Sequence, residues 1–222
     1  MLESTEDKFN WTERIIDECQ IEYPVHKVIQ GKRSTCVDVG ANVGGFMINF
    51  HFMFDKIHAY EASEDNLNFC KSNLRARDID NVEFFHEAVH SKDGETLRLK
   101  KYSSTENCGS YGVVDFQYGE DGDGWTEDNG FEEVGSVSLE TILERSGDID
   151  VLKVDVEGAE YEFMYGKDLS RINYIFMEMH NFLIDMGVQE QLVKWICKTH
   201  KLLTPYNPQY KDYHQQLIFA RV

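Results

Sequence analysis

The feature that most constrains the fold of this chain is a strand that runs into a glycine turn and opens a helix. It reads Cys36-Val37-Asp38-Val39-Gly40-Ala41-Asn42-Val43-Gly44-Gly45. Glycine permits positive φ angles and a close backbone approach, and the start of a helix presents free N–H groups. The pattern therefore predicts a ligand-binding loop of the nucleotide type.

Short β-branched or aromatic runs alternate with helical patterns along the rest of the chain. Strands are predicted over 34–39, 56–60, 81–89, 149–156 and 172–179, with a closing pair near 202–206 and 216–222; helices are predicted over 46–54, 64–76, 157–166 and 189–199. Alternating strands and helices imply parallel crossovers. No convincing helix separates the last two strands. We therefore expect an α/β fold, a Rossmann-like, doubly wound, mostly parallel seven-stranded sheet with an antiparallel edge hairpin.

We expect a single domain over 1–222, in which residues 1–33 form a helical lead-in and residues 91–143 an insertion. Inside the insertion a strand-like run over 96–102 leads into a Gly-rich acidic stretch at 111–130. Eight acids and no Lys or Arg lie between Asp115 and Glu133. The strand and helix pattern resumes at Asp148, with no Pro/Ser-rich linker before it.

Composition excludes several classes of protein. The 22 basic and 40 acidic residues among 222 give a net charge of −18, which repels phosphate backbones and anionic membranes, so neither nucleic acid nor a membrane is expected as a partner. No secretory leader and no membrane span are expected. The cysteines form an odd, scattered set that suits a reducing compartment, and we expect a cytoplasmic protein. They are Cys19, Cys36, Cys70, Cys108 and Cys197.

The residues around the glycine turn indicate which ligand it takes. Glu61 lies 21 residues after Gly40 at the end of the next strand, the offset of a carboxylate that binds ribose hydroxyls. Asn42 stands where a dinucleotide loop needs a glycine, which disfavours NAD. Asp38 would repel a pyrophosphate but suits an ammonium or sulfonium group. S-adenosylmethionine carries both of these cations and no phosphate.

At these residues the chain resembles the FkbM-type S-adenosylmethionine-dependent methyltransferases. The matching segments are 37–44, 60–63, 137–143, 149–160 and 174–180, in the family's order from about Thr35 to Val222. The most distinctive block is Lys153-Val154-Asp155-Val156-Glu157-Gly158-Ala159-Glu160. Many members have Glu-Pro where this chain has Glu61-Ala62. The resemblance implies transfer of a methyl group to a hydroxyl of a sugar or a glycosylated small molecule, and it leaves the oligomeric state open.

The resemblance also implies roles for individual residues. Asp38 and the loop from Gly40 to Gly44 would lie near the methionine part of the cofactor, and Asp155 would face that part or the acceptor. The predicted cofactor-binding residues are Asp38, Gly40, Asn42, Gly44, Glu61, Ser63, Glu87, Ala88 and Asp155. For the base that removes the proton of the hydroxyl, His180 is the first choice, and Asp155 and Glu178 come next.

Two other functions remain open at this point. One is a binding module that keeps the cofactor pocket without turnover. The other is a zinc hydrolase, because His86-Glu87-Ala88-Val89-His90 fits the HExxH pattern. That pattern binds zinc only on a helix, and this segment is predicted to be a strand, which would place the two imidazoles roughly 13 Å apart. No other spacing is specific enough to predict a metal site.

The acidic insertion suggests a further hypothesis. Aromatic residues are interleaved there with glycine and acidic residues, and they are Tyr111, Phe116, Tyr118, Trp125 and Phe131. A mobile lid of this composition would pack aromatic faces on a sugar ring and bind its hydroxyls through carboxylates. The alternative is a solvated surface loop.

Overall fold

The computed structural model describes residues 5–100, 112–113, 131–180, 185–207 and 214–222. The helices are α1 (Thr5–Glu22), α2 (Val25–Val28), α3 (Gly45–Phe50), α4 (Glu64–Arg75), α5 (Leu139–Ser146), α6 (Glu160–Met164) and α7 (Met186–Ile196). The strands are β1 (Arg33–Val39), β2 (Phe54–Glu61), β3 (Val82–His86), β4 (Ala88–Val89), β5 (Thr96–Lys100), β6 (Gly112–Val113), β7 (Phe131–Val137), β8 (Ile149–Val154), β9 (Ile172–Met179), β10 (His200–Leu202) and β11 (Gln215–Arg221).

Seven strands form the main sheet, in the order β10-β11-β9-β8-β1-β2-β3. The five strands from β9 to β3 are parallel, while β11 runs antiparallel to β9 and β10 antiparallel to β11. The predicted doubly wound sheet with an antiparallel edge hairpin is confirmed. Strand order reverses between β1 and β8, and in open α/β sheets ligands bind beyond the carboxyl ends of the strands at such a switch point.

The sheet is buried on both faces. Neighbouring residues of β1 point to opposite sides, and each side packs against its own core cluster. Cys36 belongs to a core cluster with Phe46 and Met47 of α3, and Val37 to a second cluster with Ile142 of α5 and Leu192 of α7. Such double burial explains the continuous apolar runs that mark these strands in the sequence.

Several elements differ from the sequence prediction, among them β10, which was predicted near 202–206 and lies at His200–Leu202. The helix predicted over 46–54 ends at Phe50, and a 3-10 turn (His51–Met53) leads directly into β2. The helix predicted over 157–166 begins only at Glu160, because Glu157 and Gly158 have φ angles of 49° and 100° that no α-helix contains. The strand predicted over 81–89 is interrupted at Glu87, and its last two residues form β4.

A second sheet has the order β4-β7-β5-β6. It takes β5, β6 and β7 from the segment predicted as an insertion, while α5, which begins in that segment, packs in the main core. The treatment of 91–143 as one insertion stays a prediction. Of the proposed acidic lid, the structure describes Gly112–Val113, which form β6, and the residues from Phe131, which begin β7; the rest lies outside the described residues.

A helix that crosses a bilayer needs about 20 predominantly apolar residues. Within the described ranges no helix has the length and apolar character to cross a membrane.

Candidate functional site

The glycine turn between β1 and α3 is shaped by one close backbone contact. Gly40 has a φ of 76°, and a β-carbon added to it would lie 1.7 Å from the carbonyl oxygen of Asp155. Only glycine therefore allows the ends of β1 and β8 to approach each other here. Asn42, where dinucleotide loops have their second glycine, also has a positive φ of 51°.

Glu61 ends β2 and is held by the loops on either side of it. Its carboxylate accepts hydrogen bonds from the backbone N–H groups of Asn42 at 2.7 Å and Ser63 at 2.9 Å. Burial raises the pKa of Glu61, and these two hydrogen bonds act against that rise. Each carboxylate oxygen keeps a lone pair for a ligand hydroxyl, since a carboxylate offers about four acceptor positions.

A pocket lies beyond the carboxyl ends of the strands, between β2, the residues around β4, and the loop after β8. It is lined by Val39, Gly40, Asn42, Tyr60, Glu61, Ala62, Glu87, Ala88, Val89, Leu99, Asp155, Val156, Glu157 and Ala159. Four of these carry carboxylates and none carries a lysine or arginine side chain. The lining as described therefore suits a cationic ligand and lacks the basic groups that bind phosphate.

Six of the nine predicted cofactor residues line this pocket: Gly40, Asn42, Glu61, Glu87, Ala88 and Asp155. The other three lie behind it. Gly44 is the residue before α3, and the hydroxyl of Ser63 caps α4 by accepting from the Asn66 N–H. The Asp38 side chain is fully buried beneath the loop.

Asp38 is buried because Lys153 provides its counter-charge. Lys153 of β8 lies 3.3 Å from Asp38 and 3.4 Å from Asp155, and it donates to the carbonyl oxygen of Gly40 at 2.6 Å. Burial would lower the pKa of Lys153, but the two carboxylates raise it, so the ammonium stays charged. Burial likewise raises the pKa of Asp155, yet Lys153 and His180 bring it below its usual value.

Sequence reasoning missed Lys153. A lysine inside an otherwise apolar strand predicted to be buried is the signal that could have found it, since such a lysine requires an acidic partner.

His180 follows β9 directly and contacts four carboxylates. Its Nδ1 lies 2.6 Å from Glu160 Oε1, and its Nε2 lies 3.4 Å from Glu157, 3.6 Å from Glu178 and 3.8 Å from Asp155. Burial would lower the pKa of His180, but these carboxylates raise it to about 10. Burial and the neighbouring Asp155 raise the pKa of Glu178 to about 9.

The three predicted catalytic residues thus lie together. Asp155 lines the pocket, whereas Glu178 and His180 lie beside it, with only 8% and 3% of their surface exposed.

Other residues complete this acidic group from elements that the sequence analysis did not connect with the site. The hydroxyl of Tyr23, which follows α1, donates to Asp155 at 3.2 Å and to Glu178 at 3.4 Å. From the start of β11, Gln216 donates to Glu178 at 2.6 Å, and His214 lies 3.1 Å from the same carboxylate. Glu160, in the first turn of α6, is the partner of His180.

Glu87, one of the predicted cofactor-binding residues, is on the pocket wall and is paired with a side chain of α5. The Arg145 guanidinium of α5 makes two hydrogen bonds to its carboxylate. Arg145 also lies over the ring of Phe85, which stacks on Tyr60 at a centroid distance of 4.6 Å. This set of contacts fixes the wall of the pocket between β2 and α5.

The HExxH segment has an extended backbone and no helix. His86 ends β3 with its Nε2 2.9 Å from the carbonyl oxygen of Ala62, while His90 Nδ1 lies 3.0 Å from Glu95. Among the described residues, neither histidine belongs to a group of three side chains spaced to bind a metal ion. The geometry that a zinc hydrolase of this kind requires is not formed.

Solved structures similar to the chain support the fold. An FkbM methyltransferase from Methylobacillus flagellatus KT has a TM-score of 0.55 at 14% identity, over 89% of this chain and 46% of that protein. This chain therefore spans about half the length of that relative. A Streptococcus mutans protein solved in complex with SAH has a TM-score of 0.52 at 12% identity, over 91% and 97% of the two chains. No curated protein sequence matches the chain.

The family itself is established by a match to a family model. The model of the methyltransferase FkbM domain covers residues 38–210, from the buried Asp38 to beyond β10. The predicted Rossmann-like fold and the predicted FkbM-type family are confirmed with it. With its glycine turn, Glu61 and acidic pocket lying inside the matched region, the chain belongs to the FkbM methyltransferase domain family.

Proposed function

We propose that this chain transfers the methyl group of S-adenosylmethionine to a hydroxyl oxygen of a sugar or a glycosylated small molecule. The observation that carries the proposal is a pocket with a carboxylate suited to ribose hydroxyls at one side and a second carboxylate suited to accept a proton at the other. Glu61 stands at the first side, and Asp155 with its neighbours His180 and Glu178 at the second.

The pocket residues fit S-adenosylmethionine by charge and by hydrogen bonding. Four carboxylates and no basic side chains in the lining suit a ligand with an ammonium and a sulfonium group. The two oxygens of Glu61, each already fixed by one backbone N–H, are oriented to accept the two ribose hydroxyls. When bound, the cofactor supplies an electrophilic methyl group on a cationic sulfur.

The protein's own contribution to the reaction is position and proton removal. The acceptor's O–CH₃ bond forms as the S–CH₃ bond breaks, the electron pair of the broken bond stays on sulfur, and the hydroxyl proton leaves the oxygen. Asp155 is the side chain of the predicted catalytic set that faces the pocket, so we assign the proton to its carboxylate. Alignment of the two reactants supplies most of the rate enhancement.

The acceptor class rests on the family resemblance together with the polarity of this end of the pocket. Asp155 and Glu157 both lie on the lining with about a quarter of each side chain exposed. Carboxylates in this position accept hydrogen bonds from the hydroxyls of a sugar, which a purely apolar acceptor could not offer.

We also propose that the protein works in the cytoplasm. The four cysteines in the described ranges, Cys19, Cys36, Cys70 and Cys197, are free thiols, as expected in a reducing compartment.

Methyl-labelled S-adenosylmethionine incubated with a panel of sugars and glycosides tests the proposal. We expect label in an O-methyl product with the wild-type protein. The variant His180→Ala should lower turnover at nearly constant cofactor affinity, because His180 lies against Asp155 and outside the cofactor wall.

The variant Glu190→Gln, on the exposed side of α7, is the matched control and should keep full activity. Cofactor binding without transfer to any hydroxyl acceptor would instead support a non-catalytic binding module. Label on nitrogen or sulfur acceptors alone would contradict O-methylation.

A further inference from the structure

Asp155, Glu178 and His180 have the composition and the spacing of a metal-binding site. They lie at the ends of the adjacent parallel strands β8 and β9, and one ligand atom from each lies within 4.8 Å of the other two. His180 Nε2 is 3.6 Å from Glu178 and 3.8 Å from Asp155. Ligand atoms bound about 2.1 Å from one ion stand roughly 3.0–3.5 Å apart, and the two distances from Nε2 exceed that range by only a few tenths of an ångström.

The contact on the other side of the imidazole is an independent sign of a metal. His180 Nδ1 lies 2.6 Å from the fully buried carboxylate of Glu160. Histidines that bind metals almost always donate their second ring N–H to a carboxylate, carbonyl or water, which fixes the tautomer. A cation bound by Nε2, Asp155 and Glu178 would take the place of the Nε2 proton, while Nδ1 keeps its proton toward Glu160.

The negative charge around these three residues also favours a bound cation. Five carboxylates lie close together here, those of Glu22, Asp155, Glu157, Glu160 and Glu178. The ammonium of Lys153 is shared between Asp155 and the buried Asp38. A divalent cation offsets the excess negative charge, and it can enter from the pocket, where the Asp155 side chain is 28% exposed.

We propose that Asp155, Glu178 and His180 bind one divalent first-row cation, for which Mn²⁺ matches two hard carboxylates and one imidazole, and that hydroxyl oxygens of the acceptor complete its coordination. The second half rests on the function proposed above. A hydroxyl bound to such an ion has a lower pKa and a fixed position, which is the assistance that a weakly acidic sugar hydroxyl needs.

A second group shares one of these ligands. Glu22, Glu178 and His214 also place one ligand atom each within 4.8 Å of one another. Neither Glu22 nor His214 lines the pocket, whereas Asp155 does. Only the group with Asp155 places an ion at the acceptor, and variants of the unshared residues separate the two sites.

Electron paramagnetic resonance of Mn²⁺ tests the site without cofactor or acceptor. The full chain, freed of metals with a chelator, is titrated with MnCl₂ alone. We expect one bound Mn²⁺ per chain, with nitrogen modulation from a directly bound imidazole in its pulsed spectrum. His180→Gln should abolish that modulation, and Asp155→Asn and His180→Gln should each weaken Mn²⁺ binding at least about tenfold.

Glu190→Gln is the control and should leave the Mn²⁺ affinity and the nitrogen signal unchanged, and Glu22→Gln should keep the nitrogen signal. Absence of Mn²⁺ binding by the wild-type chain, or a bound ion without nitrogen modulation, would overturn the proposal, and both results are independent of whether any variant folds. Loss of binding in Glu22→Gln and His214→Gln but not in Asp155→Asn would overturn it in favour of the second group.

Calorimetry with S-adenosylmethionine on the same preparations separates this inference from the proposed function. Mn²⁺ binding without cofactor binding supports the metal site and contradicts the methyltransferase pocket. Cofactor binding without Mn²⁺ binding contradicts the metal site alone.

Discussion

At the scale of single residues, Gly40 is the position at which the shape of the site depends most directly on the type of amino acid. The residue has a positive φ, and its missing side chain leaves room for the Asp155 carbonyl oxygen 1.7 Å from where a β-carbon would be. We expect Gly40→Ala to lower the free energy of unfolding by about 2–4 kcal/mol, because it adds a backbone clash to the strain of a left-handed conformation. Urea denaturation measures the difference.

Gly94→Ala is the matched control for this prediction. Gly94 has a similar φ of 72°, but no atom lies within 4 Å of its would-be β-carbon. It should lose only the conformational part, about 1 kcal/mol. Equal losses in the two variants would show that the contact with Asp155 contributes nothing.

The roles of single residues could be predicted where the local sequence around the residue is enough to identify it. The sequence identified Glu61 by its offset from the glycine turn and Asp155 by its block, and both line the pocket. The sequence also predicted that Asp38 lies near the ligand. It shows the charge of Asp38 but does not show the lysine that pairs with this buried carboxylate. Lys153 reaches Asp38 from a strand more than 100 residues away, a pairing that only the sheet order reveals.

At the scale of elements, the start of α5 is fixed by a side chain from outside the helix. Ser138 caps α5, and the Asp93 carboxylate accepts from the Ser138 N–H at 2.7 Å and from the Thr141 hydroxyl at 2.9 Å. These hydrogen bonds, that from the Ser138 N–H first, lower the pKa of Asp93. We expect Asp93→Ala to cost about 1 kcal/mol at pH 7, a modest figure because the carboxylate is largely exposed to solvent.

The pH dependence of that cost has a definite sign. A carboxylate whose pKa is lower in the folded than in the unfolded state stabilises the fold above the unfolded value of about 4 and loses this effect as the pH falls through the folded value. The difference between wild type and Asp93→Ala in urea denaturation should therefore shrink below about pH 4. Glu144→Ala, an exposed acid of α5, is the control. A difference that grows on acidification would contradict the account.

The positions of strands and helices were predicted best where the residues of a short segment are enough to mark its ends. The first strand was predicted over 34–39 and β1 covers Arg33–Val39, because its β-branched and apolar residues lead directly into the glycine turn that ends it. The split of 81–89 into β3 and β4 was missed because both halves have the same strand-forming composition. Which sheet each half joins depends on β2 and β7, its neighbours in space.

At the scale of the whole molecule, acidic residues converge at one edge of the sheet. The parallel strands bring Glu61, Asp155 and Glu178 there, as the rule for open α/β sheets requires. The contributions of Tyr23 and Gln216 could not be foreseen. They come from the lead-in helix and from the antiparallel strand β11, whose positions follow from packing and not from the strand and helix alternation.

This convergence shows where part of the net charge of −18 is located in the structure. Part of the acidity lines a pocket that lacks basic side chains, and part surrounds His180 beside it. An acidic pocket favours a cationic methyl donor over a phosphate-containing cofactor, and this preference is the central claim of the account.

Isothermal titration calorimetry with S-adenosylmethionine tests that claim most directly. The wild-type chain should bind one cofactor molecule, and Glu61→Gln should bind it at least about tenfold more weakly, because the carboxylate hydrogen bonds to the ribose are lost. Glu83→Gln, an exposed acid on the neighbouring strand β3, should bind like the wild type. No binding by the wild-type chain, or equal affinity in Glu61→Gln, would contradict the account.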